Sequence, residues 1–162
     1  MKKGFTLVEM LVVIGIISIL SAFIIATLNP FEQFRKASDT QRKSDLAQVQ
    51  RALEAYYQDF GRYPTASANK IVYNSNPVSW GTAFAPYIDV LPKDPNSQKK
   101  YVYVVSNDGQ SYWLYSALDR GSKDPQACNG GNACGGLLLN GISNTACGLT
   151  CNYGVSSPNV SP

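Results

Sequence analysis

Glu9 is the side chain most at odds with its surroundings. It stands at the head of an apolar run, Met10 to Leu28, in which only Ser18, Ser21 and Thr27 are polar. A carboxylate there costs a few kcal/mol, roughly, unless it is paired or lies at an interface. It could snorkel to lipid headgroups at the membrane edge. Its spacing offers a second role. A chain cut after Gly4 would begin at the Phe5 amine. Glu9 would then lie one helical turn on, available to an ammonium of its own chain or of a neighbour. In a helical bundle such a pair offsets its desolvation only when both partners are present. One carboxylate could therefore tolerate the bilayer and also set register in an assembly.

Cys128, Cys134, Cys147 and Cys151 form the second group. They sit in a Gly- and Asn-rich stretch, and no charged residue occurs from Pro125 to Pro162. Their C-x5-C and C-x3-C spacings match paired zinc knuckles poorly. Two disulfides fit better in a chain whose apolar segment implies export. Four cysteines allow three pairings, of which the local one, Cys128–Cys134 with Cys147–Cys151, is preferred. Each bridge would contribute about 2–4 kcal/mol. The nearby carboxylates are Asp119 and Asp124. Calcium takes about six to eight oxygens, so a site on these two would need many carbonyls, and no cofactor is expected. The chain has no histidine, no Gly-rich phosphate loop and no carboxylate pair in a motif. It is not expected to be an enzyme.

Charge is unevenly spread along the 162 residues. Lys+Arg is 14 and Asp+Glu is 11, a net +3. That is too mild for a nucleic-acid surface. The dense charge lies within 32–62, nearly cancels, and reads as a solvated helix face, with pairing between subunits as the alternative. Met10–Leu28 would span about 28 Å as a helix, close to the hydrocarbon thickness. A membrane anchor fits better than a cleaved signal peptide, because the run is long and lacks a convincing small-residue cleavage site. Lysines and arginines flank both ends, so charge alone does not orient the span.

The elements that position these groups follow from periodicity. Asn29-Pro30 predicts a kink or break after the apolar half. Leu46, Val49, Leu53, Tyr56 and Phe60 recur at helical spacing and form one stripe. Gly61 and Pro64 end the helix. Ile71–Tyr73 is a short apolar piece, and Thr82–Ile88 reads as a short helix. Tyr101–Val105 and Ser111–Tyr115 flank Asp108-Gly109. A tight primed turn there would set Val105 opposite Tyr112 and Val104 opposite Trp113. Leu137–Leu139 reads as a strand. The expected fold is α+β: a long N-terminal helix covering one face of a small antiparallel sheet. The segments are 1–4, 5–29, 30–61 and 62–162, the last with its Cys-rich part at 125–162.

The stretch Lys2-Lys3-Gly4-Phe5-Thr6-Leu7-Val8-Glu9-Met10-Leu11 resembles the prepilin processing and methylation motif of type IV pilins and type II secretion pseudopilins. The stretches YYQDFGRYPT, LPKDP and SYWLYSALD are similar to pilin-like proteins in outline. The resemblance implies cleavage between Gly4 and Phe5 by a prepilin peptidase and N-methylation of Phe5. It implies storage in the inner membrane with the C-terminal domain outside the cytoplasm. It also implies polymerisation by the assembly machinery into a helical homopolymer, where Glu9 meets the Phe5 amine of a neighbour. Family members often carry a proline within the apolar half. Here Pro30 comes just after it, and Gly15 to Pro30 is the segment where helix flexibility would lie. A disulfide-bounded C-terminal loop displayed on the filament is common in pilins. Calcium bound by an acidic C-terminal loop is common in major pseudopilins.

The favoured reading is a type IV pilin, reaching the cell surface as a fimbrium. Adhesion, twitching or DNA uptake would belong to the fibre, and any contact with nucleic acid would be indirect. The alternatives are a type II secretion pseudopilin and a monomeric membrane-anchored extracytoplasmic binding module.

Overall fold

A computed structural model describes residues 4–162; most of the expected leader, residues 1–3, lies outside the described part. The chain divides into two units, one ending at Arg35 and the other spanning Lys36–Pro162.

In the first unit, helix α1 is Leu7–Leu28. Thr6 is its N-cap, and Asn29 ends it in a left-handed conformation with φ 42°. Asn tolerates this conformation better than most residues. Helix α2, Pro30–Phe60, begins at once. Proline suits a first helical position, where its missing N–H would have had no partner. The break therefore falls where Asn29-Pro30 placed it. Gly15 lies inside α1 with no atom within 4 Å of where a Cβ would stand. The stretch Leu7–Ile24 is long and apolar enough to cross a membrane.

The second unit is α+β. Residues of α2 from Lys36 onward lead into two three-stranded antiparallel sheets. The small one joins β1 (Ala66–Ser67), β2 (Lys70–Tyr73) and β3 (Asn76–Pro77). The principal one orders β4 (Val102–Val105), β5 (Tyr112–Ser116) and β6 (Tyr153–Ser156). Gly61 ends α2 with φ 66° and donates its N–H to the Tyr57 carbonyl.

Alternation along β4 and β5 gives the principal sheet two buried faces. Tyr103, Tyr112 and Leu114 face Leu46, Val49 and Leu53 of α2, with Tyr101 just before β4. Val102, Val104 and Tyr115 face Cys134, Leu137, Cys147 and Cys151. The helix thus covers one face, as periodicity predicts. The cysteine region covers the other, so it is not only a displayed loop. Each fully buried aliphatic side chain contributes about 1.5–3 kcal/mol.

Several local expectations change. The hairpin register is the expected one, Val105 opposite Tyr112 and Val104 opposite Trp113. Its turn is not primed, because Gly109 has positive φ and Asp108 does not. The Gly109 N–H closes the turn on the Ser106 carbonyl. Thr82–Ile88 is no helix: Phe84 bridges Ile88 around a cis Ala85–Pro86 bond. Leu137–Leu139 belongs to helix α3, Gly135–Leu139, not to a strand. Its Leu137 is buried while Leu138 and Leu139 are exposed, a helical pattern too short to show in sequence. Phe60 ends the α2 stripe exposed, its ring tilted against Tyr56 with centroids 4.4 Å apart.

Candidate functional site

The N-terminal site is built by the first turn of α1. Thr6 is followed three residues later by Glu9, the spacing of a capping box. The Glu9 N–H donates to Thr6 Oγ1 at 3.2 Å. The Thr6 N–H and hydroxyl both donate to Glu9 Oε2 at 3.0 Å. Within the single chain, the Glu9 carboxylate is thus held by its own helix start. Phe5 is exposed, and no atom lies within 4 Å of where a Cβ on Gly4 would stand. Thr6 is a residue the sequence reading missed, although the T-x-x-E spacing was legible.

The C-terminal site is held by disulfides. Cys128 bridges Cys134, and Cys147 bridges Cys151. The pairing is the local one. The Cys134 N–H donates to the Cys151 carbonyl at 3.0 Å, and the Cys128 N–H to the Asn152 carbonyl at 2.8 Å. Both bridges therefore anchor on one short segment. Lys100 N–H donates to the Cys147 carbonyl at 3.0 Å. At Gly148, with φ 89°, a Cβ would lie 2.0 Å from the Gln98 carbonyl oxygen. Only glycine lets the bridged loop pack this closely.

Between α2 and this region lies an ionic network that periodicity concealed. Asp39, Arg42 and Asp45 are buried, so this part of the charge run is not a solvated face, whereas Arg35, Lys36 and Arg51 are exposed as expected. Asp39 and Arg42 continue the apolar stripe of Leu46, Val49 and Leu53 toward the N-terminus at helical spacing. That spacing was the available signal. Arg42 Nη1 meets Asp39 and Asp119, each at 2.8 Å, while Nε meets Asp94 at 2.8 Å. Lys99 Nζ meets Asp119 Oδ1 at 2.5 Å and donates to the Ala117 carbonyl at 2.8 Å. Asp39 also accepts the backbone N–H groups of Asp119 and Arg120. Tyr101 donates its hydroxyl to Asp45 at 2.5 Å.

The electrostatics follow from these partners. Burial pushes the Arg42 guanidinium down, but Asp94 and Asp119 outweigh it and raise it above its ordinary value. Burial pushes Asp119 up, yet Lys99 and Arg42 hold it below the usual carboxylate range. Asp124 behaves likewise: burial raises it, and Lys43 at 2.6 Å lowers it further. Burial, then the bond to Asp45, pushes the Tyr101 phenol up and keeps it a neutral donor.

This settles the fit of the two calcium candidates. Asp119 has both oxygens on protein cations. Lys43 Nζ holds Asp124 Oδ2 and the Gln126 side-chain oxygen at 2.9 Å. The oxygens a metal would collect are already neutralised by Arg42, Lys43 and Lys99, so this loop does not fit calcium. Among the described residues, no group of three or more His, Cys, Asp or Glu side chains is placed to hold a metal.

Comparison with known proteins bears on the chain's family. Residues 1–25 match the prokaryotic N-terminal methylation motif. Residues 29–133 match type II secretion system (T2SS), protein G. The type II secretion system core protein G of Aeromonas hydrophila is 35% identical over 100 residues, 58% of this chain and 67% of the relative. That of Escherichia coli (strain K12) is 32% identical over 122 residues, 72% and 81%. The type IV wide pilus major component of Thermus thermophilus is 27% identical over 135 residues, 78% and 96%. No solved structure shows a significant match. With the family matched from Asn29 through the hairpin and into the first disulfide, and the methylation motif ahead of it, the chain belongs to the type II secretion system protein G family.

Proposed function

We propose that this pilin-like filament subunit is a pseudopilin of a type II secretion system, and not the subunit of a surface fimbrium. The observation that carries this reading is the protein G match over residues 29–133. The protein G relatives support it. It replaces the surface pilin favoured from the sequence.

The mechanism starts in the membrane. The apolar Leu7–Ile24 stretch stores the precursor in the inner membrane, with the domain from Lys36 outside the cytoplasm. Prepilin peptidase cleaves between Gly4 and Phe5, and Phe5 is N-methylated. The Glu9 carboxylate then exchanges its Thr6 contacts for the Phe5 ammonium of an adjacent subunit. That exchange fixes axial register, because a misaligned subunit would leave a charge unpaired. The machinery extends the polymer, which acts as a piston and not as an adhesive fibre.

Deleting the gene in its own host tests this. Secreted proteins should accumulate inside the cell envelope, and sheared surface material should contain no fibre of this subunit. Normal secretion together with fibres built from this chain would reverse the assignment in favour of the surface pilin. That second reading draws on the Thermus thermophilus relative, which is matched over 96% of its length.

A further inference from the structure

One carboxylate of this chain is left without a partner. The sequence holds eleven acidic side chains. Ten of them accept a hydrogen bond or form an ion pair within the chain. Asp89 alone has neither among the described residues, and it is exposed. It sits on loop 81–91 of the second unit. The Gly81 N–H donates to the Leu91 carbonyl and the Leu91 N–H to the Thr82 carbonyl, both at 2.8 Å, which closes the base of the loop. Buried Phe84 and Leu91 root it in the core. Around Asp89 it presents apolar residues to solvent, with Ala85, Pro86 and Val90 exposed.

The same unit carries a groove of about 500 Å³ with complementary character. Ala47, Arg51 and Ala55 of α2 line it, with Ser156 of β6 and Pro158 just beyond. Its one carboxylate, Glu54, is already engaged: both oxygens accept the Tyr63 hydroxyl, and Oε1 also accepts that of Tyr112. Arg51 is exposed and has no hydrogen bond or ion pair among the described residues. Lys36 and Arg62 also stand free, but the recesses they line are largely polar and offer little to Pro86 and Val90. Loop and groove do not meet within one chain. The loop packs on α2 through Tyr87, whose hydroxyl donates to Asp59 at 2.9 Å and whose ring centroid is 5.2 Å from that of Tyr56. Arg51 precedes Tyr56 by five residues, which places it about 140° away around the helix axis. A protrusion and a groove on different sides of one subunit make a heterologous contact, which propagates into an open helical polymer when it does not close into a ring.

We propose that loop 81–91 of one subunit docks in the α2 groove of a second copy of this chain, with Asp89 against Arg51. Ala85, Pro86 and Val90 then cover Ala47, Ala55 and Pro158, and the charge pair selects the register of that contact. The site is an assembly surface in the folded domain, additional to the apolar helix and Glu9. The proposal rests on the filament subunit described above.

Charge reversal on the full chain in its own host provides the test, with filaments in ruptured cell envelopes counted by electron microscopy. Arg51→Glu and Asp89→Arg each set like charges opposite one another and should cut the filament count roughly tenfold. Combined in one chain they restore an opposite pair, and filaments should return. Cross-linking gives a second readout. A chain carrying both Arg51→Cys and Asp89→Cys should yield a ladder of multimers with a short thiol-to-thiol reagent, whereas each single cysteine should yield none. Single reversals that assemble normally, a combination no better than the singles, or absence of the ladder would overturn the contact. Rescue of Asp89→Arg by Lys36→Glu, or cross-links to a different protein, would overturn it in favour of that partner. A parent chain that forms no filament refutes the filament reading as well, whereas filaments indifferent to these variants refute this contact alone.

Discussion

Arg42 is where the polar contacts of α2 converge, and it is almost completely buried. It holds three carboxylates from separate parts of the chain, Asp39, Asp94 and Asp119. Removing it would leave Asp39 and Asp94 buried without that cation. Arg42→Met should lower the unfolding free energy by about 3–5 kcal/mol, read from urea unfolding of the full chain in detergent. A loss under 1 kcal/mol, roughly the worth of a surface pair, would show that the network is solvated. At the other end of the chain, Thr6 and Glu9 separate capping from register. Thr6→Ala removes the cap, at about 1 kcal/mol, but leaves the carboxylate, so electron microscopy should still show filaments. Glu9→Ala would remove the proposed register contact as well as the cap, and filaments should be absent.

The elements divide by what stabilises them. Residues of α2 from Lys36 onward are fixed by the stripe Leu46, Val49 and Leu53 against the sheet. The region after Pro125 has no charged residue and little regular structure, and its bridges add to its packing. Cys134, Cys147 and Cys151 are buried against Val102, Val104 and Tyr115. Both loops are short, so each bridge should contribute about 2 kcal/mol. Cys147→Ser with Cys151→Ser should lower stability by that amount and expose the 95–100 turn, whose Lys100 N–H bonds the Cys147 carbonyl. Hydrogen exchange at Lys100 would report it, and unchanged protection there would show that the bridge does not anchor this turn.

For the whole molecule, the pattern of charge predicts the response to solution conditions. The family is structural and not enzymatic, so stability and assembly are the properties to measure. Asp119 and Asp124 titrate below their ordinary 3.8 in the folded chain. For such lowered carboxylates the folded state holds fewer protons than the unfolded one. Their contribution is full above the unfolded value and is lost as pH falls through the folded one. The midpoint of thermal unfolding should therefore not lose this contribution until pH drops below about 4, and should then fall steeply. Because Arg42, Lys43 and Lys99 occupy the loop oxygens, neither millimolar calcium nor a chelator should move that midpoint at neutral pH. A rise with calcium would show that the ion pairs open to admit the metal.

Much of this protein is decided locally, and local signals are legible in a sequence. The Gly4–Glu9 motif, the apolar run, the Asn29-Pro30 break and the hairpin register all depend on neighbours within a few residues. The two bridges were legible too, since short loops favour nearby partners. What only the tertiary structure decided involves partners far apart in the chain. Arg42 and Asp94 are 52 positions apart, and Lys43 and Asp124 are 81 apart. No periodicity shows that a charged position on a helix faces carboxylates from a distant loop. The same holds for the cysteine region: its composition reads as an exposed loop, yet the sheet's second face needs a cover, and the bridged segment supplies it.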